Sequence, residues 1–245
     1  MPITLQSTVI VVPAFNEEAT VGAVVDEVFA KLPGVSCLVV DDCSSDRTAA
    51  EAIAAGATVL RLPFNLGVGG AMRAGFRWAL EHNYECVVQV DADGQHDPAS
   101  VPLLLETLSG GADLAIGARF AGEGSYTVSG PRKWAMKFLA AVLSSTTRTT
   151  LTDTTSGNRA SAPRAIALFA NHYPAEYLGD TIESLVIAAR SGLVIRQVPV
   201  VMRPRAGGVP SQNFVRSTVY LARGVLALMF ALMRPKSSYG AGARS

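Results

Sequence analysis

Short apolar runs alternate along the chain with segments in which apolar residues recur at helical spacing. The apolar runs are rich in β-branched residues and end at turn formers, which predicts short strands covered on both faces. The predicted strands cover residues 9–12, 37–40, 58–62, 86–90, 113–118 and 194–202. The predicted helices cover residues 21–32, 47–55, 70–82 and 178–190, with two more starting at Asp97-Pro98 and at Ser161 with Pro163. This alternation predicts an α/β fold with an open, mostly parallel sheet and right-handed crossovers.

The fourth strand is the most informative, because it leads directly into the sequence DADGQHDP. Asp91 and Asp93 flank one alanine at its carboxyl end, and Gln95 follows closely. Ligands of open α/β sheets bind at this edge, and oxygen ligands at this density suit Mg²⁺ or Mn²⁺. An isolated D-x-D is more often a solvated acidic turn, but a buried strand before it favours a metal site. Asp97 and Pro98 then predict a helix N-cap and a first helical residue.

Charged residues after the other strands should meet these aspartates in one crevice, because the carboxyl ends of parallel strands share an edge. Glu17 follows the first strand, Asp42 the second and Arg119 the fifth. Arg205 lies in the basic loop R-P-R-A-G-G, residues 203–208, after the last strand. The carboxylates could contact a base, a ribose and a metal ion, and the arginines could bind phosphate. This combination indicates a nucleotide-diphosphate site.

The glycine run at residues 67–70 could suggest a dinucleotide fingerprint, but it lacks the spacing G-x-G-x-x-G. It also follows the third strand, whereas the fingerprint opens a Rossmann domain after the first. Close packing of the helix that follows explains these glycines better.

Composition narrows the class of protein. The chain has 245 residues, of which 49% are hydrophobic, and a net charge of +1. These values fit one globular α/β domain and argue against nucleic acid as a partner. The three cysteines, Cys37, Cys43 and Cys86, lack metal-site spacing, and two lie in predicted strands. We therefore expect reduced thiols and a cytosolic protein.

The three histidines are expected to have small roles. His82 is predicted to end a helix, His172 to lie in a loop, and His96 to border the metal without ligating it. They form no cluster in the sequence, which argues against a zinc site.

Neither end of the chain predicts a membrane span, since the first apolar run closes on Pro13 and residues 219–233 are interrupted by Arg223. The Gly-, Ser- and Thr-rich region from 120 to 156, with a basic helix candidate from Pro131, predicts a flap over the site. Residues 213–233 are apolar nearly all round, which predicts an amphipathic helix in a membrane interface. Burial against the domain or in a dimer is the alternative. The chain thus divides into a domain at 1–212 and an interfacial helix with a disordered tail at 213–245.

Several motifs follow one another in a fixed order, namely PAFNEE, VVDDCSSDRT, NLGVGGAMRAG, DADGQHDP and IGAR. Together they resemble the motifs of family 2 glycosyltransferases. The later TSGNRA and VPVVMRPRAGGVPS resemble the branch of dolichyl- or polyprenyl-phosphate mannose and glucose synthases. The resemblance covers residues 8–212 and implies a GT-A fold, a Rossmann-like open sheet with helices on both faces.

The resemblance also implies roles for the matching residues. Residues implied to contact the nucleoside are Pro13, Phe15 and Glu17, with Val40 and Asp42 at the base and ribose. Residues implied to hold the diphosphate and its Mg²⁺ or Mn²⁺ are Asp91, Ala92, Asp93 and Gln95, with Arg119 and Arg205 at phosphates. Ser211 stands where prenyl-phosphate mannose synthases often carry lysine, so the donor nucleotide stays open between UDP and GDP.

The chemistry follows from the charge that develops on the leaving nucleoside diphosphate, which a divalent ion at Asp93 and the Arg119 side chain would stabilise. A lipid phosphate acceptor is ionised near neutrality and needs no general base. A saccharide hydroxyl needs one, and Asp180 or Glu183, three apart on one predicted helix, is the candidate. An exposed helix face is the plain alternative for that pair.

The sequence therefore predicts an inverting, metal-dependent transferase that moves a sugar from a nucleotide-sugar to polyprenyl phosphate. We expect it to be peripheral on the cytoplasmic side of the plasma membrane, with a small integral membrane protein or a second copy as partner. The alternatives are a transferase acting on a saccharide hydroxyl of a cell-envelope polysaccharide and a non-catalytic nucleotide-sugar-binding scaffold.

Overall fold

The computed structural model describes residues 3–119, 156–174 and 180–203. Its strands are β1 (Thr8–Ala14), β2 (Ser36–Asp41), β3 (Thr58–Arg61), β4 (Cys86–Gln89), β5 (Leu114–Arg119), β6 (Arg159–Ser161) and β7 (Ile195–Val200). Its helices are α1 (Val21–Lys31), α2 (Thr48–Ala54), α3 (Gly67–Glu81), α4 (Val101–Ser109), α5 (Pro163–His172) and α6 (Asp180–Arg190). Two 3-10 turns, Leu5–Ser7 and Pro98–Ser100, precede β1 and α4. The predicted strands and helices are confirmed, with small shifts at their ends.

The strands form one sheet in the order β3-β2-β1-β4-β6-β5-β7. Every pairing is parallel except those of β6, which runs antiparallel between β4 and β5. The sequence pattern does not predict β6, because three residues are too few to show a period. The helix start predicted at Ser161 with Pro163 is confirmed at Pro163, the first residue of α5, whose fixed φ suits a first helical turn; Ser161 itself ends β6. The prediction of a mostly parallel α/β sheet is confirmed.

Different helices cover the two faces of the sheet. Along β1, Val9 and Val11 lie in one core cluster with residues of α3, α5 and α6. Ile10 and Val12 lie in a second cluster with residues of α1 and α4. Successive strand residues point to opposite faces, so a strand covered on both sides must be apolar at every position. The implied arrangement of helices on both faces is confirmed.

Glycines let α3 pack closely on its neighbours. The run from Gly67 to Gly70 forms the first turn of α3 instead of a loop before it. A Cβ added at Gly70 would collide with the Leu66 side chain, and one at Gly75 would lie 2.6 Å from Val11 Cγ1 on β1. The crowding at Gly70 involves Leu66, the residue before α3, so the packing explanation of the glycine run stays a prediction; the close approach to β1 is at Gly75.

Two of the three cysteines are buried within strands, and none forms a disulfide. Cys37 and Cys86 are buried, whereas Cys43 is exposed. Burial raises the pKa of both buried thiols to about 12, because the thiolate would lose its solvation. The expected burial of the two strand cysteines is confirmed, and their reduced state stays a prediction.

Two predicted helix boundaries are confirmed, and the predicted position of one histidine is wrong. Asp97 caps the 3-10 turn that begins at Pro98, since its Oδ1 accepts the Ala99 N–H at 2.9 Å. His82 follows the last residue of α3, as predicted. The prediction that His172 lies in a loop is wrong, because His172 is the last residue of α5.

The expected flap, apart from Ser156, and the expected interfacial helix at 213–233 lie outside the described residues. The domain boundary at residue 212 therefore stays a prediction. Within the described ranges, none of the helices combines the length and apolar character that crossing a bilayer requires.

We expect Gly75→Ala to destabilise the protein although alanine favours helices. The new Cβ would meet Val11 Cγ1 at 2.6 Å in the buried α3–β1 contact, and such overpacking costs about 1–3 kcal/mol. Each kcal/mol lowers Tm by about 2–4 °C at this chain length, which a thermal melt measures.

Gly22→Ala on α1 is the matched control, because its nearest new contact would be 3.8 Å from the Glu51 carbonyl oxygen. Alanine loses less backbone entropy on folding than glycine does, so the free energy of unfolding should stay unchanged or rise by up to roughly 1 kcal/mol. The Tm should therefore not fall. A Gly75→Ala protein as stable as the Gly22→Ala protein would contradict the packing argument.

Candidate active site

The loops that follow β1 and β2 are tied together by hydrogen bonds between backbone and side chains. The Asn16 N–H donates to Ser44 Oγ (2.9 Å), and the Glu17 N–H donates to Thr48 Oγ1 (2.8 Å). Thr48 is completely buried, and its hydroxyl donates in turn to Asp46 Oδ1. The two loops therefore form one wall at the carboxyl edge of the sheet.

The residues implied to contact the nucleoside differ in how much surface they offer. Phe15 is 46% exposed, so its aromatic ring is accessible to a ligand. Pro13 and Glu17 are half-buried, and the Glu17 carboxylate accepts a hydrogen bond from the Thr20 hydroxyl at 2.9 Å. Val40 is completely buried. Their contacts with a nucleoside stay predictions.

Two acids at the carboxyl end of β2 both have structural partners. Asp42 is 3% exposed, and its Oδ1 accepts the Leu66 N–H at 2.7 Å, at the start of α3. Burial raises the pKa of Asp42 above its ordinary value, although the backbone hydrogen bonds it accepts oppose that shift. Asp41 is 1% exposed and accepts from the Ser44 N–H (3.0 Å) and from Arg61 Nε (3.3 Å). Asp42 therefore supports α3, and its predicted contact with the base and ribose is untested.

Asp91 is held in place but remains accessible. Its Oδ1 accepts from Gln89 Nε2 at 3.0 Å, and its side chain is 36% exposed. A Cβ at Gly157, in the segment before β6, would lie 3.1 Å from its Oδ2. This crowding explains the glycine, because any larger residue would push on the carboxylate. Gln89 was not among the predicted site residues, although a polar side chain inside an apolar strand is the signal that marks it.

His96 is the second group beside Asp91. It is 2% exposed, and its Nδ1 accepts the Asp91 N–H at 3.1 Å. That contact assigns the proton of a neutral ring to Nε2, which lies 3.6 Å from Asp91 Oδ2. The imidazole thus orients the turn that carries Asp91, in agreement with the prediction that it borders the site.

Asp93 and Gln95 complete the turn. Asp93 is 7% exposed, and its Oδ1 accepts the Gln95 N–H at 3.0 Å. Ala92 between the aspartates is 4% exposed. Gln95 is half-buried and donates from Nε2 to the Arg203 carbonyl oxygen at 3.4 Å.

The donor set of this turn fits a hard divalent cation. Carboxylate and amide oxygens of Asp91, Asp93 and Gln95 are the ligand types that Mg²⁺ and Mn²⁺ prefer. In the part of the chain that the structure describes, no three His, Cys, Asp or Glu side chains converge as a metal cluster. Mg²⁺ is usually bound by one or two protein carboxylates and takes its remaining ligands from water or substrate phosphate.

For two predicted site residues the structure gives the backbone position only. Arg119 ends β5 opposite Val200 of β7, and Asp180 begins α6. Glu183 is half-buried on α6. Arg205 lies outside the described residues.

A buried arginine joins β6 to α6. Arg159 is 4% exposed, and its guanidinium donates to the Thr181 carbonyl oxygen (2.9 Å) and to Ser184 Oγ (2.8 Å). Since Arg159 pairs with Gln89 of β4, this contact sets the first turn of α6 relative to the aspartate strand. Arg159 was not among the predicted site residues, because its α6 partners Thr181 and Ser184 follow it only after a long intervening segment.

Four charged side chains form a cluster beside the aspartate turn. Arg203 contacts Glu27 and Asp97, and Lys31 contacts the same two carboxylates. The side chains are between 24% and 34% exposed. Arg203 was predicted to belong to a phosphate-binding loop, but the structure engages it in this cluster. No local signal reveals the contact, since Glu27 precedes Arg203 by 176 residues.

Comparison with known proteins places these features in a family. The model of the family described as Glycosyl transferase family 2 matches residues 9–169. A polyprenol monophosphomannose synthase of Mycolicibacterium smegmatis is 37% identical over 150 residues, covering 59% of this chain and 54% of that protein. An undecaprenyl-phosphate mannosyltransferase of Micrococcus luteus is 32% identical over 225 residues, covering 85% of this chain and 91% of that protein. The match thus spans about half of the first relative and nearly all of the second.

Solved structures of a glucosyl-3-phosphoglycerate synthase from Mycobacterium tuberculosis have the same fold. Its complex with Mn²⁺, UDP and glucosyl-3-phosphoglycerate gives a TM-score of 0.72 at 26% identity, covering 95% of this chain and 82% of that one. Its complex with Mg²⁺ and UDP gives a TM-score of 0.71 at 26% identity, covering 95% and 81%. These neighbours confirm the predicted GT-A architecture.

Proposed function

This chain belongs to glycosyl transferase family 2, and we propose that it is an inverting, metal-dependent transferase that moves one sugar from a UDP- or GDP-sugar to polyprenyl phosphate. The observation that carries the donor chemistry is the turn after β4, which presents an accessible Asp91 carboxylate next to Asp93. The names of the Mycolicibacterium smegmatis and Micrococcus luteus relatives support the acceptor class.

Residues of this chain would hold and orient the donor. Asp91, Asp93 and Gln95 would hold a Mg²⁺ or Mn²⁺ ion, which when bound offsets the negative charge that develops on the leaving diphosphate. Gln89 and His96 fix Asp91 beforehand, so little reorganisation is needed when the donor arrives. Arg119 and Arg205 would contact phosphates, where a planar guanidinium can donate two parallel hydrogen bonds.

In the proposed reaction, an oxygen of the acceptor phosphate attacks the anomeric carbon from the face opposite the leaving group. The bond from that carbon to the donor phosphate oxygen breaks, and its electron pair leaves with the nucleoside diphosphate. The new bond to the acceptor phosphate inverts the anomeric centre. Because the attacking oxygen is already ionised, no side chain has to remove a proton.

A hydroxyl acceptor is the second candidate. The name of the structural neighbour, a glucosyl-3-phosphoglycerate synthase, favours it. In that case a base must take the hydroxyl proton, and Asp180 or Glu183 on α6 would serve. Arg159 would hold the first turn of α6 for that role. Membership of an enzyme family favours either transferase over a non-catalytic scaffold.

The chain would work at the cytoplasmic face of the plasma membrane, where polyprenyl phosphate presents its head group. Residues 213–233 would lie in the interface, with their arginines toward anionic head groups. A small integral membrane protein or a second copy of the chain would complete the assembly.

We expect Asp93→Ala to weaken nucleotide binding in the presence of Mn²⁺ by more than about tenfold. Loss of a metal ligand should lower the metal affinity at least as much as loss of a group that orients a ligand. Isothermal titration of UDP and of GDP into both proteins measures this and identifies the donor nucleotide. Asp93→Asn keeps an acceptor for the Gln95 N–H, so it separates loss of charge from loss of the local turn.

Glu81→Ala is the control for that titration, since Glu81 is a carboxylate on α3 whose side chain is 60% exposed and paired only locally with Arg77. It should bind nucleotide like the unsubstituted chain. Binding that is equally tight without a divalent ion would contradict metal dependence, and binding of neither nucleotide would contradict the donor class.

We expect Asp180→Asn and Glu183→Gln to transfer sugar to polyprenyl phosphate at nearly the unsubstituted rate, because an ionised phosphate needs no base. The measurement is incorporation of labelled sugar into extractable lipid. Loss of all turnover in Asp180→Asn, with its melting temperature unchanged, would instead support a hydroxyl acceptor.

We expect a chain ending at residue 212 to lose binding to vesicles containing anionic lipid while it still binds nucleotide, because the interfacial helix would be gone. Co-sedimentation of the full and shortened chains measures this. If the shortened chain still sediments with vesicles, the proposed interface helix is wrong.

A further inference from the structure

The segment that leaves β7 pairs with the aspartate turn through its backbone. Met202 forms an antiparallel bridge with His96, and the Arg203 N–H donates to the Gln95 carbonyl oxygen at 3.0 Å. In return, Gln95 Nε2 donates to the Arg203 carbonyl oxygen. Arg203 is therefore joined by its main chain to the residue proposed as the third metal ligand.

The Arg203 side chain fixes the far end of the same turn. Its Nη1 lies 2.7 Å from Glu27 Oε1 and 3.0 Å from Oε2, and its Nη2 lies 2.5 Å from Asp97 Oδ2. Lys31 Nζ closes the ring, 2.7 Å from Glu27 Oε1 and 2.8 Å from Asp97 Oδ1. Exposed single ion pairs contribute little, but a closed network on partly buried side chains holds its members in one geometry.

Asp97 is held by contacts on both of its carboxylate oxygens. Its Oδ1 accepts from Lys31 and from the Ala99 N–H, and Arg203 donates to its Oδ2. Asp97 is thus an anchor of the turn, held by donors on both carboxylate oxygens.

The aspartate turn, residues 91–97, is consequently held at both ends. At its start, Gln89 and the His96 ring hold Asp91. At its end, Lys31 of α1 contacts Asp97 directly, and Arg203 links Asp97 to Glu27 of α1. The residues between, including Asp93, have their backbone path set by these two anchors.

We infer that Arg203 is a positioning residue for the donor: it fixes Gln95 and Asp97 so that Asp91 and Asp93 can receive a divalent cation and nucleoside diphosphate together. This rests on the proposed function, since the donor is taken to be a nucleotide-sugar. Arg203 itself does not contact the ligand, because its guanidinium is occupied by two carboxylates.

A role in stability alone makes a different prediction. It would lower Tm but leave the metal dependence of nucleotide binding in the folded protein unchanged. A positioning role raises the Mn²⁺ concentration needed for half-maximal nucleotide binding, because the ligands are no longer held together before the ion arrives.

The experiment titrates Mn²⁺ into the full-length chain with UDP, or with GDP if that nucleotide binds, at a temperature well below every Tm. Arg203→Met should raise the half-maximal Mn²⁺ concentration by about tenfold, the effect expected for removing a group that orients metal ligands. Arg203→Lys should restore part of this affinity, because an ammonium can satisfy one carboxylate but not both in the fork geometry.

Two further variants keep the test decisive. Glu27→Gln leaves Arg203 and Asp97 paired, so it should raise the Mn²⁺ requirement less than Arg203→Met and folds with less disturbance. Arg77→Met is the control, since it removes an i,i+4 pair with Glu81 on an exposed face of α3 and should change nothing.

An unchanged Mn²⁺ requirement in Arg203→Met and in Glu27→Gln, with only Tm lowered, overturns the inference and leaves the proposed function intact. If the unsubstituted chain itself binds neither nucleotide with Mn²⁺, the proposed function fails and the inference with it. A raised requirement in both variants but not in Arg77→Met supports the positioning role.

Discussion

The site depends on the parallel alignment of β1, β2 and β4. The register pairs Val12 with Val39 and Val11 with Gln89, so all three strands end at one edge of the sheet. Their loops carry Glu17, Asp42 and Asp91, which are far apart in sequence and share no local contact that could assemble them. Val9–Val12 of the central strand are completely buried, and this burial on both faces resists any slip of register, because a slip of one residue would exchange the faces. The geometry of the polar edge is thus secured by apolar contacts beneath it.

Electrostatics divides the aspartates of this edge into two groups. Asp41 faces Arg61, Asp42 receives the first N–H groups of α3, and Asp97 is enclosed by Lys31 and Arg203. In each case the protein supplies a cation or a helix N-terminus to balance the carboxylate. Asp91, by contrast, contacts no Arg or Lys among the described residues: its carboxylate accepts from the Gln89 amide and lies beside the His96 ring, and it keeps exposed surface. The proposed donor site would use this accessible carboxylate.

Local patterns in the sequence predict the strands, the helices on both faces and the D-x-D turn, because each depends on neighbouring residues and on the period of the element. They predict neither β6, which has too few residues to show a period, nor the role of Asp42 at the start of α3, since the acid and the helix are separated by β3. Local patterns cannot predict the Arg203 cluster, for a stronger reason. Its members come together only after α1, the aspartate turn and β7 have docked, so their contact is a property of the assembled sheet. The phosphate role predicted for Arg205 stays a prediction, while its neighbour Arg203, in the same basic loop, holds the aspartate turn through Glu27 and Asp97.

The reversed direction of β6 has a consequence for how the protein can diverge. Since β5 and β6 are antiparallel neighbours, the Gly117 N–H donates to the Asn158 carbonyl oxygen and the Ser156 hydroxyl to the Gly117 carbonyl. The described chain therefore ends at Arg119 and resumes at Ser156 at almost the same point, next to the aspartate turn. Because β5 and β6 pair directly with each other, a change in the number of residues between these two points leaves the strand pairings of the described residues in place. The edge that carries the aspartate turn can therefore stay the same while the intervening sequence changes.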